Sequence, residues 1–221
     1  MNVQAFAQWK SYYPEGVSNN KQVKQKIDKD NLIFNTYFFN ALKAKSLENY
    51  EEALEQFQKC IKIDDKQAVP FYESSLINKA LGNFNLAVEQ SKITTEIERD
   101  NRWYQINYAE ILFSIQDFKS ASVEYKKLLL KEPGNKELYF LLADMYIYDN
   151  GFLKAIEVYD DLEQINGIDK IVSMQKHKLY MQLEKKKYAI KELNNLLEKF
   201  PNEVEALEIL SEVYLLNDEK E

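Results

Sequence analysis

The chain has 221 residues, of which 29 are basic and 36 acidic, for a net charge of −7. That acidity argues against nucleic-acid binding, because affinity for a phosphate backbone needs a basic face. Hydrophobic content of 45% is enough for a continuous core, five glycines and four prolines leave little room for long loops, and the single cysteine allows no disulfide within the chain.

In chain order, the segment 1–33 stands apart as a leader. Ala5-Phe6-Ala7 followed by Gln8 reads like the small-residue cleavage site at the end of an export signal. On that reading the natural protein is exported with Gln8 as its mature N-terminus, and otherwise it is cytoplasmic. Pro14-Glu15-Gly16 reads as a turn. The lysine-rich KQVKQKIDK run that follows is expected to be a solvated linker or a short amphipathic helix, with Asp30 or Asn31 capping the next one.

Beyond the leader, from Phe34 onward, the chain repeats. Ala53, Ala87, Ala121, Ala155 and Ala189 recur at one constant interval, without insertion or deletion. Tyr50, Phe84, Phe118 and Phe152 stand just ahead of the first four of them, and Phe57, Ser91, Tyr125, Tyr159 and Leu193 follow all five one helical turn later. Within the segment 102–135, apolar side chains at three- and four-position steps describe two helices joined at Gln116-Asp117. Pro133 and Pro201 mark helix stops, Pro70 falls in a first turn, and Asn166-Gly167 is a left-handed C-cap signal. Neither helix of such a pair can bury its apolar stripe alone, so each pair needs a copy on either side. The units are 34–67, 68–101, 102–135, 136–169 and a divergent 170–203, followed by 204–221 as one further first helix. In the fifth unit His177 takes the slot of Ala41, Ser75, Ala109 and Ala143, and Lys186 replaces the aromatic at the turn.

This alanine, aromatic and proline spacing resembles the tetratricopeptide repeat (TPR). The resemblance implies an all-α, right-handed superhelical solenoid of antiparallel helix pairs, and a family that shares an architecture rather than a chemistry. The segment MQKHKLYMQLEKKKYAIKEL is similar to bacterial multi-repeat TPR proteins that continue for further repeats. Family geometry points the second, fifth, ninth and twelfth positions of each repeat into a concave groove, and core packing should not need them. The candidate partner-binding residues are therefore Phe38, Tyr72, Leu76, Trp103, Ile106, Glu110, Phe113, Phe140, Asp144, Ile147, Met174 and Met181. The fifth position is apolar in every full repeat (Phe38, Tyr72, Ile106, Phe140, Met174), which suits an amphipathic helix or an extended apolar peptide. Glu110 and Asp144 favour a segment carrying some basic residues.

Catalytic features are scarce. One histidine permits no histidine metal cluster, five scattered glycines form no phosphate loop, and Cys60 reads as a buried thiol. No enzyme activity, metal or cofactor is expected, and no run approaches the roughly 18 apolar residues of a membrane span. The carboxylate clamp by which some TPR domains hold chaperone tails is also absent, since its positions would fall on Phe38, Leu42, Glu73, Trp103 and Asn107. The expected role is a protein-interaction scaffold. The alternatives are a structural module that self-associates through Val204 to Leu216 or through the groove, or a sensor or adaptor arm of a larger bacterial envelope protein.

Overall fold

Small side chains at a constant interval decide where two helices can touch. A computed structural model describes the backbone of residues 21–218 and the side chains of residues 29–213, so the expected cleavage site at Ala5-Phe6-Ala7 lies outside the described residues. Among them the chain forms eleven helices and no strand: α1 (Lys21–Ser46), α2 (Tyr50–Ile63), α3 (Ala68–Ala80), α4 (Phe84–Ile97), α5 (Arg102–Ser114), α6 (Phe118–Lys131), α7 (Lys136–Tyr148), α8 (Phe152–Asn166), α9 (Lys170–Gln182), α10 (Lys186–Lys199) and α11 (Val204–Asp218). All the periodic alanines are fully buried, as are Ala41, Ser75, Ala109 and Ala143 on the preceding helices. Each pair thus crosses on small side chains that let the backbones approach, flanked by large ones such as Phe57, Tyr125 and Tyr159 that fill the space beside the crossing.

The turn inside each pair repeats one geometry. Glu48, Gly82, Gln116, Asn150 and Glu184 all have φ between 58° and 75°. The N–H that follows each of them reaches back over the turn to a helix carbonyl: Asn49 to Ala44, Asn83 to Asn78, Asp117 to Leu112, Gly151 to Tyr146 and Lys185 to Tyr180, at 2.7–3.0 Å. This is the Schellman closure, which satisfies the last carbonyls of a helix and needs a left-handed residue. Only the second repeat supplies glycine there. Between pairs, Asn101, Asn135 and Asp169 accept hydrogen bonds from the first N–H groups of α5, α7 and α9, and Asp117 caps α6 in the same way.

The chain divides into two compact units, Met1–Ile97 and Glu98–Glu221. In the first, Ala41, Ala44, Ala53, Phe57 and Ile77 form the core of α1 to α3. Its last helix, α4, buries Ser91 and Thr94 where other repeats place larger apolar side chains, and both hydroxyls bond back to their own helix, to Val88 O and Ser91 O. In the second unit one apolar cluster runs from α5 to α9, and a further cluster joins α9 and α10 to Ala206 and Leu210 of α11.

One sequence expectation is corrected. Asp30 and Asn31 do not cap a helix, because α1 runs unbroken from Lys21 through them to Ser46. No glycine or proline interrupts those 26 residues, and a mid-helix Asp or Asn costs only a few tenths of a kcal/mol.

The shared turn makes a direct prediction. Gln116→Gly should stabilise the chain by about 0.5–1 kcal/mol, since relief of left-handed strain outweighs the entropy glycine adds to the unfolded chain. The urea midpoint measures this, and Gln116→Val should move it the opposite way.

Candidate functional site

The first unit carries Phe38, Tyr72 and Leu76, all half-buried. Phe38 stacks on Phe34 at 6.0 Å and meets Phe57 of α2 edge-on at 6.0 Å. Its apolar character is thus already required by the packing of α1 on α2. Glu73, the residue that opposes carboxylate binding, forms an ion pair with Lys45.

The second unit carries the rest on α5, α7 and α9. Trp103 is 66% exposed, and Glu110, Phe113, Asp144 and Met181 are exposed as well. Ile106, Phe140 and Ile147 are half-buried against the core, and Phe140 sits edge-on to Tyr159 at 5.4 Å. Met174 is only 7% exposed and belongs to the cluster with Leu193 and Leu196. The expectation that core packing would leave the fifth position free is therefore corrected. Phe38, Phe140 and Met174 each pack against their own repeat's second helix, and that contact explains their apolar character. The exposed surface is carried by the second, ninth and twelfth positions.

Two arrangements escaped the sequence reading. Phe113 lies 5.7 Å from Phe118 and 5.2 Å from Tyr148, and Phe118 and Tyr148 stack at 5.3 Å, so rings from α5, α6 and α7 form one partly exposed cluster. Tyr148 closes its helix at a position where no other repeat carries an aromatic, and nothing in the periodicity pointed to it. Beside Trp103, the Arg102 guanidinium lies 5.3 Å from the indole and pairs with Glu132 at 2.9 Å. Lys136 and Lys170 occupy the same first position and pair with Asp169 and Glu203. A cation opening each of these successive repeats, opposite an acidic residue at their ends, was a legible signal.

The wall is acidic at its centre. Burial pushes the Tyr125 hydroxyl up to about 12, with smaller contributions from the carboxylates of Glu110, Asp144 and Glu137. Asp144 keeps an exposed side chain, but partial desolvation by the surrounding wall raises it above the ordinary carboxylate value. A cationic side chain placed there would offset the solvation that Asp144 has lost.

The titratable groups in the interior serve packing. Cys60 is fully buried, its thiol donates to Phe34 O at 3.6 Å, and desolvation lifts it to about 11. His177 is buried with Nδ1 3.1 Å from Ala189 O, so Nδ1 carries the proton. Lys176 was not singled out from the sequence. Its nearly buried ammonium meets Asp160 at 2.6 Å and Glu163 at 2.9 Å on α8, and Glu192 at 3.0 Å on α10, while Ser173 also donates to Glu163. Burial alone would lower Lys176, but its carboxylate bonds more than offset this and hold it above its ordinary value. A lysine kept charged in this way cannot act as a nucleophile. Among the described residues no cluster of His, Cys, Asp or Glu side chains is placed to hold a metal ion, and no helix is long and apolar enough to cross a membrane.

Helix pairs repeating at a constant interval, closed by one turn and crossing on buried small side chains, are the TPR fold, and solved TPR structures superpose on this chain. One is a MamA protein, with a TM-score of 0.60 and 17% identity over 78% of this chain and 94% of that one. Another is a TPR protein from Parabacteroides merdae, with a TM-score of 0.60 and 13% identity over 85% of this chain and 74% of that one. A third is YrrB, described as a TPR protein with an unusual peptide-binding site, with a TM-score of 0.56 and 14% identity over 79% of this chain and 90% of that one. No protein-family model matches the sequence, and no curated protein matches it.

Two measurements follow from the interior groups. Lys176→Met strands the carboxylates around it and should cost about 3–5 kcal/mol by urea denaturation near neutral pH. The cost should shrink in mild acid. Glu192 is already raised by desolvation, and without the cation the folded chain takes up protons more readily than the unfolded one, gaining stability as the pH falls. For Cys60, a thiol reagent in mild alkali should leave the native chain essentially unlabelled over a time that labels it fully in guanidinium.

Proposed function

We propose that the chain is a non-catalytic protein-interaction scaffold whose second unit holds a partner segment against α5, α7 and α9. The observation that carries this reading is Trp103, a large aromatic 66% exposed on a face that the core does not use and belonging to no apolar cluster. Exposed aromatics with an adjacent arginine are the side chains that dominate protein interfaces. Phe113 and Met181 extend the apolar surface, and Glu110 and Asp144 give it an acidic middle. The matching ligand is an amphipathic helix or extended apolar peptide with a basic residue toward that middle. The peptide-binding description of YrrB is consistent with this use of the fold.

Self-association through α11 is a second reading, favoured by Val204 at 62% exposed and Leu207 also exposed on that helix. Sedimentation at several concentrations separates the two. A mass that rises with concentration and falls back in Leu207→Glu assigns α11 to a second copy.

Phe140→Glu would confound binding with folding, because that ring is seated against Tyr159. Trp103→Glu avoids the problem. In pull-downs from the source cell, partner capture should drop at least about tenfold, the loss expected at an interface hot spot, with an unchanged melting temperature. A partner recovered equally by wild type and variant would remove this wall from the account.

A further inference from the structure

The second unit has another concavity, on the side of α7 away from the aromatic wall. It is a groove of about 650 Å³ between α6 and α8, floored by Leu142 and Tyr146 of α7. At about 3.6 residues per turn these two leave α7 opposite Phe140, Asp144 and Ile147. Leu129 and Val158 line its walls and Leu130, 85% exposed, stands at its rim.

The charges along it are sorted by sign. At one end the ammonium groups of Lys126 and Lys154 lie 5.4 Å and 5.6 Å from the Tyr146 ring. Neither meets a carboxylate at ion-pair distance among the described residues, whereas neighbouring Lys127 and Lys131 pair with Glu124 and Asp100. At the other end stands Asp161, close enough to Tyr139 to add to the effect of burial in raising its hydroxyl, which donates to Pro133 O at 3.1 Å. Lys154 and Asp161 are two turns apart on one helix, about 10 Å along the groove at roughly 1.5 Å per residue. Glu157, one turn on from Lys154, lines the same wall on the way to Asp161, so along α8 the cation comes first and the carboxylates follow. With Lys126 and the apolar floor, that order is complementary to a ligand with the opposite order of charge.

We propose that this groove is a second peptide-docking site. It takes a short extended segment of a partner protein in which an acidic and a basic side chain stand three positions apart with apolar residues between them. Three extended residues span about 10 Å, the distance between the charged ends. The volume lies within the roughly 300–1,000 Å³ of ordinary ligand pockets and suits a few side chains rather than a long helix.

The test uses three labelled synthetic hexapeptides on the full chain, titrated to millimolar concentration by fluorescence polarisation: Gly-Glu-Leu-Leu-Lys-Gly, its Glu/Glu form and its Lys/Lys form. The mixed peptide should bind at least tenfold tighter than either like-charged one. The double variant Lys126→Glu, Lys154→Glu should lose that preference and favour the Lys/Lys peptide, a switch that misfolding cannot produce. Trp103→Glu should leave the peptide affinities unchanged, so failure here and failure of the aromatic wall are distinguishable. Equal affinities, no binding, or a preference unaltered in the double variant overturns the proposal. So does concentration-dependent self-association that the double variant abolishes, since a second copy would then be the occupant.

Discussion

Everything in this molecule depends on the close approach of two helices at a pair of small side chains. Where Ala109 faces Ala121 across a crossing, neither side chain holds the backbones apart, and the large residues on either side can interdigitate. That spacing leaves one short route from helix to helix, the Schellman turn, and it recurs even where the sequence offers Glu or Gln instead of glycine. The strain accepted at those turns is small beside the burial that the crossing secures. Repeat five shows how far the rule bends. His177 fills the small-residue slot, and its ring is accommodated by a hydrogen bond to the carbonyl of Ala189, the alanine on the other side of the same crossing.

The Lys176 cluster constrains the same part of the chain by different means. A buried ion cluster contributes less net stability than apolar side chains of equal volume. Any slide of α9 along α8 and α10, however, would strand Asp160, Glu163 and Glu192 away from their cation. The cluster therefore sets the position of α9 where apolar contacts, which tolerate displacement, would leave it less defined. On α4, Ser91 and Thr94 satisfy themselves within their own helix, and a polar bond to α3 is the one that buried Asn78 donates to Gln90 at 2.9 Å.

The proposed function uses what this packing leaves over. In the second unit α7 contributes to both candidate surfaces: Asp144 to the acidic wall that begins at Trp103, Leu142 and Tyr146 to the charge-sorted groove on its other side. The wall is chiefly aromatic with an acidic middle, and the groove is apolar with cationic and anionic ends. The two are suited to different segments, and a scaffold that presents both could hold two at once.

The constant step, the periodic alanines and the proline stops were enough to specify helix pairs and their turns, because those features are local and periodic. Cys60 could also be read correctly as a packing residue from its slot alone. The sequence could not say which apolar positions were surplus. Phe38, Phe140 and Met174 occupy groove positions by count, yet each is drawn into contact with a second helix whose approach no periodicity encodes. Nor could it show that Lys176, one lysine among many, would meet carboxylates from two other helices, or that Lys126 and Lys154, on different helices, would stand over one tyrosine ring. Sequence determined the unit and its repetition, since backbone hydrogen bonding and small-residue spacing act over short distances. Only tertiary structure decided which side chains remained for a partner, since exposure depends on neighbours carried by other helices.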